Sequence, residues 1–197
     1  IDHGDELTNE AEIEGVVLAP SNLAPSATET GSNDTSVAFN IVSSAPTKTL
    51  HALNRTICAV ANCAGERIFP LDEITYRIQQ TVPTRDFETL QLVDFLPQPI
   101  YDAREMTVFD ASTPSAALPP AGTAKYGPND TSSGSIGPPT IVTEATIVNN
   151  TVGFDFGTNA DDTNTSVVID ILFTVTVLNA PFPPDQLLGN IVQTEEQ

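Results

Sequence analysis

"LDEITYRIQQTVPTRDFETLQLVDFLP", residues 71–97, reads as two β-strands joined by a turn and closed by a proline. In its first half Ile74, Tyr76 and Ile78 alternate with Thr75, Arg77 and Gln79, the period of a strand with one buried and one wet face. Pro83 and Pro97 stand at the ends of the two runs, where a missing amide donor does no harm to a ladder. The same β-branched runs, cut by Pro, Gly, Asn and Asp, recur at "TSVAFNIVSS", "ATIVNN", "TVGFDFG" and "SVVIDILFTVTVL". In the last of these Ile169, Ile171, Phe173, Val175 and Val177 make one nearly apolar face, as expected of a central strand. With 16 prolines, 11 glycines and no window of a dozen residues holding an apolar 3.6 period, helix has little room. The expected fold class is all-β, an antiparallel sandwich.

The chain has 197 residues, enough for a buried core. Lys and Arg number 7 against 26 Asp and Glu, a formal net charge of -19. That balance argues against nucleic acid or an anionic membrane as a partner and favours water or cations. The most apolar segment, residues 167–182, is interrupted by Asp170 and is too short to insert in a bilayer. The opening "IDHGDELTNE" has no basic region followed by an apolar run, so the chain is expected to be either cytosolic or a mature or excised piece.

Cys58 and Cys63 flank four residues with a central Ala-Asn, a spacing that allows a local disulfide and with it an oxidising compartment. A Cys-pair metal site or two buried thiols are the alternatives, the first weak because only His3 and His51 are available to complete it. Five Asn-x-Ser/Thr sequons, at Asn33, Asn54, Asn129, Asn149 and Asn164, permit glycosylation outside the cell without requiring it.

Residues 1–35 read as an N-terminal extension and residues 36–197 as the sandwich domain. Residues 16–35 read as a proline-punctuated linker or an extended crossing over a neighbouring surface, and residues 111–140 as a Ser-, Pro- and Gly-rich loop, either a binding insertion or disordered. Near the start stands "ELTNEAEIEG" and near the end "LLGNIVQTEEQ", so that the Leu-x-Asn of Leu7 and Asn9 recurs at Leu188 and Asn190. Chance explains three matched positions; so does a terminal strand that appears twice because the chain is one unit of a series. On the second reading the segment carrying Leu7, Asn9, Ala11 and Ile13 is donated to a neighbouring unit.

"LDEITYRIQQTVP", "LQLVDFLP", "VGFDFG", "VIDILFTVTVL" and "LGN", in that order over residues 37–193, resemble the tandem β-sandwich repeat of large prokaryotic surface proteins and the related isopeptide-forming fimbrial domains of pilins and adhesins. The Asp-x-Leu-Pro of Asp94 to Pro97 is the most specific element. The long proline-rich insertion and the Cys pair depart from the pattern. The resemblance implies an immunoglobulin-like sandwich of Greek-key or jelly-roll type, an extracellular or cell-surface setting, and a role in filaments, with copies of itself or neighbouring repeats as partners.

Some members of that group join a Lys of an early strand to an Asn of the last strand with release of ammonia, assisted by a buried acid. The matching positions are Lys48, Asn190 and Asp94. The chemistry needs a neutral amine and a protonated carboxyl, both of which burial supplies. The sequence by itself favours a plainer reading, a surface Lys, an Asn capping a strand end and an Asp in a turn. If the N-terminal strand is donated, Asn9 stands where Asn190 would and the bond becomes intermolecular. For a cofactor, Asp155, Asn159, Asp161, Asp162 and Asn164 offer oxygen ligands suited to Ca²⁺, and an acidic turn with Asx bonds explains them as well.

No Gly-x-Ser-x-Gly, Walker, Gly-x-Gly-x-x-Gly or His-Glu-x-x-His motif occurs, Trp is absent and only two His are present. The chain is expected not to be an enzyme. It is expected to be a structural subunit or repeat of a surface filament or pilus-like fibre assembled through a donated strand, alternatively an adhesin whose 111–140 loop binds a ligand and whose joints are stiffened by Ca²⁺.

Overall fold

A computed structural model describes residues 6–11, 35–40, 45–58, 63, 67–83, 85–146, 149–160, 165–179 and 189–196. The chain divides into two compact units, Ile1–Val42 and Ser43–Gln197. The boundary expected at 35/36 therefore falls at 42/43. The reason is pairing: β1 (Glu6–Ala11) and β2 (Thr35–Asn40) form their own two-stranded antiparallel sheet, with Leu7 opposite Phe39 and Asn9 opposite Val37. The strand read in "TSVAFNIVSS" thus lies in the first unit. The segment expected to be donated pairs over Leu7, Asn9 and Ala11 with its own chain, and Ile13 lies outside the described residues.

Among its described residues the second unit is built mainly from strands, with a 3-10 turn at Ala103–Glu105. Its strands are β3 (Thr47–Leu53), β4 (Thr56–Ile57), β5 (Glu73–Val82), β6 (Phe87–Phe95), β7 (Val108–Asp110), β8 (Thr123–Tyr126), β9 (Thr140–Ala145), β10 (Asn150–Asn159), β11 (Val167–Thr176) and β12 (Ile191–Glu196). They make a larger sheet, β4-β3-β5-β11-β8-β7, and a smaller one, β12-β6-β10-β9. Every described pairing is antiparallel except β7 with β8. "ATIVNN" is corrected: the preceding "TIVTEA" is the strand, and after it Asn149 N donates to Thr146 Oγ1 at 3.0 Å.

One core lies between the sheets. Ile74, Tyr76, Ile78 and Val82 of β5 meet Ile169, Ile171, Phe173 and Val175 of β11, and across the interface stand Leu90 and Leu92 of β6 with Val152, Phe154 and Phe156 of β10. Phe154 and Phe173 join the two layers with ring centroids 5.7 Å apart. Each such fully buried side chain is worth about 1.5–3 kcal/mol of transfer free energy. As expected, β11 is central, flanked by β5 and β8.

The middle of the larger sheet's outer face is not wet. Asp170, Leu172 and Thr174 point away from the core and are nevertheless buried, as is Thr75. Residues 111–140 cover them, and this stretch, expected to be a structureless loop, contains β8 and straps itself to the sheet. Pro119 O accepts from Thr174 Oγ1 at 3.0 Å and Thr131 N donates to Val168 O at 2.9 Å. The anchor is Asp170. It receives Arg77 Nε at 2.8 Å and Nη2 at 2.6 Å, and Asn129 N at 2.8 Å, while its own amide donates to Asp130 Oδ1 at 3.1 Å. A carboxylate is tolerated at this depth because a bidentate guanidinium and backbone amides replace its water. In the β3–β4 hairpin Asn54 and Arg55 both take positive φ, 47° and 62°, as a two-residue type I′ turn requires.

Candidate functional site

On β6 the inward alternation Leu90, Leu92 continues to Asp94, so a carboxylate occupies a position that packing reserves for an apolar side chain. Asp94 is completely buried. Lys48, the second residue of β3 in the opposite sheet, reaches across the core, and its Nζ bonds Asp94 Oδ2. Its side chain is 7% exposed, so the plainer expectation of a surface lysine does not hold. The strand pairing explains why: β3 lies on β5 with Lys48 opposite Ile78 and Leu50 opposite Tyr76, which turns both side chains to the core.

The ammonium sits over the Tyr76 ring, 4.1 Å from its centroid, with the Phe173 ring at 5.2 Å. Two aromatic faces supply some of the stabilisation that water would have given. Burial outweighs the attraction of Asp94 and lowers the Lys48 pKa to about 8. Burial likewise raises the Asp94 carboxyl, with Lys48 opposing the shift. Burial also raises Tyr76, whose hydroxyl lies 3.0 Å from that of Tyr101. Each partner is thus moved toward its neutral form, which lowers the cost of passing a proton from amine to carboxyl.

Asn190 closes the group. β12 is antiparallel to β6 with Val192 opposite Asp94 and Ile191 opposite Phe95, which brings the residue just before the strand to the same end of the core. The Asn190 amide lies beside Asp94 and the Tyr76 hydroxyl, favouring the ionised form of each. Yet neither its Oδ1 nor its Nδ2 closes a hydrogen bond of ordinary geometry, although both are buried, and Asp94 Oδ1 is also without a partner. The carboxamide is thus near enough to Asp94 and Tyr76 to act on both without closing a hydrogen bond of ordinary geometry, and a buried polar group held so costs about 1–3 kcal/mol if left unpaired. An amine, a carboxyl and a carboxamide therefore stand side by side with their polar atoms out of water. Thr194 Oγ1 bonds Gln80 Oε1 at 2.5 Å and holds β12 to the larger sheet.

These are the three residues that sequence resemblance brings together, and the structure gathers them. Tyr76 and Phe173, which form the aromatic floor, were legible only as strand residues. The second lysine, Lys125, faces outward and donates to Ser115 Oγ at 2.6 Å.

Of the residues considered for Ca²⁺, Asp155 accepts from Gly157 N at 2.8 Å inside a bulge of β10, and the Asn159 side chain donates to Arg85 O. Asp161, Asp162 and Asn164 lie outside the described residues. Among the described residues no three His, Cys, Asp or Glu side chains gather as a metal site would need.

Cys58 and Cys63 are joined in a disulfide, their Cα atoms 5.3 Å apart. Among the sequons Asn54, Asn129 and Asn149 are exposed, and Asn33 and Asn164 lie outside the described residues. No described helix is long and apolar enough to cross a membrane. No family model matches the chain, and no curated protein or solved structure is significantly similar to it.

Proposed function

We propose that residues 43–197 form a force-bearing module of an extracellular surface fibre, an immunoglobulin-like sandwich whose first and last strands are joined by an amide between Lys48 and Asn190. The observation that carries this reading is the buried Lys48–Asp94 pair with the Asn190 carboxamide set against Asp94 and the Tyr76 hydroxyl, close enough to act on both yet closing no hydrogen bond of ordinary geometry. In the reaction the neutral Lys48 Nζ attacks Asn190 Cγ, and the carboxyl of Asp94, holding the shared proton, polarises the amide oxygen. The new N–C bond forms as the Cγ–Nδ2 bond breaks, and ammonia leaves with the displaced proton. No cofactor and no outside substrate are consumed, so the module modifies itself once and does not turn over.

The mechanical consequence follows from where the bond lies. Lys48 opens the larger sheet's contribution to the core and Asn190 precedes the last strand, so tension entering at one end of the module leaves at the other through the amide. The disulfide and the dispersed negative charge suit the same setting, an oxidising exterior in which fibres must remain apart.

Pulling the chain by its ends in a force spectrometer tests the reading. A locked module releases no length from residues 48–190, whereas an unlocked one yields about 480 Å, at about 3.4 Å per residue over about 140 residues. Full release in the unmodified protein would refute the proposal. The adhesin reading is the less favoured of the two, because the backbone of the 111–140 segment is largely engaged in covering the larger sheet.

A further inference from the structure

Among the described residues, β1 is paired on one side, with β2, in a sheet of two strands. A two-stranded ribbon of six-residue strands is marginal by itself in water and needs a third strand or a packing partner. The order of residues says which partner fits. Leu7-Thr8-Asn9-Glu10-Ala11 parallels Leu188-Gly189-Asn190-Ile191-Val192, with Leu and Asn identical and a small apolar residue two places after the Asn. β12 uses one edge to pair with β6, placing Val192 opposite Asp94. β1 set on β6 in the same register puts Ala11 opposite Asp94 and Asn9 where Asn190 stands, and β2 remains on its outer edge.

We infer that β1 is a second closing strand: it takes the place of β12 on β6 of another copy of this chain and presents Asn9 to that copy's Lys48, joining the two copies covalently. The inference rests on the proposed amide chemistry of Lys48. The step balances as before: Lys48 Nζ bonds to Cγ of Asn9, the Cγ–Nδ2 bond breaks, and ammonia departs. In an unaltered chain the attached β12 competes at high effective concentration and closes its own module first. Once it has done so, Lys48 is spent and Asn9 is still free. The recipient is therefore a copy whose own β12 has not yet closed on Lys48, and because the amide is permanent, even infrequent capture by β1 before closure accumulates product.

The full chain with Asn9→Ala and Asn190→Ala keeps the Lys48–Asp94 pair and has no acceptor, and serves as recipient. It is refolded in the presence of folded, unaltered chain, which supplies Asn9. Intact mass of the unaltered chain alone is read first, since a deficit of about 17 Da, one ammonia, reports that its own module is locked.

The expected result is a species resistant to boiling in detergent, about 17 Da lighter than the sum of recipient and locked donor, whose peptide map joins Lys48 of the recipient to Asn9 of the donor. It is lost when the donor carries Asn9→Ala. A locked donor that yields no covalent pair with a recipient shown by circular dichroism to be folded overturns the inference and leaves the proposed function standing. An unaltered chain with no mass deficit overturns both.

Discussion

Replacing Asn190 by Ala removes the acceptor and leaves Lys48, Asp94 and the aromatic floor in place, which isolates the covalent bond from the interactions around it. Because neither polar atom of Asn190 closes a hydrogen bond of ordinary geometry, their removal breaks only the looser contacts to Asp94 and Tyr76. The bond's own contribution comes from the unfolded state: a link from residue 48 to residue 190 closes a loop of about 140 residues, which in the chain-entropy treatment of cross-links is worth about 5 kcal/mol. A module of about 155 residues unfolds with an entropy near 0.33 kcal/mol/K, so the loss corresponds to a fall in Tm of about 15 °C. Differential scanning calorimetry of both chains, paired with intact mass, makes the check. The unaltered chain should weigh about 17 Da less than its sequence, the variant should show no deficit, and the variant should melt about 15 °C lower. An unaltered chain of full sequence mass refutes the reasoning at its root. A deficit accompanied by melting within about 3 °C refutes the energetic part, meaning that the denatured chain already confines the two ends.

Three further outcomes follow from the same geometry. Formation of the amide, timed by mass after unfolded chain is diluted into buffers of different pH, should be fastest between the raised carboxyl pKa of Asp94 and about 8. Above about 8 the last proton leaves the Lys48–Asp94 pair and the carboxyl no longer polarises the amide, while below the raised carboxyl pKa a second proton blocks the amine; a rate that climbs steadily to about pH 10 would contradict this. In the Asn190→Ala background, Lys48→Met and Asp94→Leu should each cost about 3–5 kcal/mol in urea denaturation and the double variant should return to within about 2 kcal/mol of the parent. Additive losses would show that the two groups are not energetically paired. Gly127→Ala should destabilise the module by about 1–3 kcal/mol, because a Cβ there would stand 2.6 Å from a carboxylate that Arg77 and Asn129 hold in place. An unchanged midpoint would mean that the Asp170 anchor is loose.

What the sequence disclosed and what it withheld divide along a physical line. The period-two runs of residues 73–82 and 167–176 announce strands because each must bury one face, and pairing of β5 with β11 follows from two matched apolar faces. The site was legible in outline through an ordered set of short motifs. One signal lay unread beside them: Asp94 falls in phase with Leu90 and Leu92, so any strand that buries those leucines must bury the acid too and must find it a cation. With two lysines in the chain the choice is narrow, and Lys48 lies on a strand facing the same core. Other features were not legible because no local pattern encodes them. The outward residues of β11 include Asp170 and Thr174, which alternation alone assigns to solvent; only the return of residues 111–140 across that face buries them, and composition made that return look like loop. The cis-paired β1 was hidden for the opposite reason. On the proposed reading its Leu-x-Asn signature describes a closing strand and carries no information about whose sheet it closes, since a ladder is satisfied equally by any edge of the right register. Tethering, effective concentration and the single irreversible step proposed at Lys48 would decide that, and none of the three is a property of the strand itself.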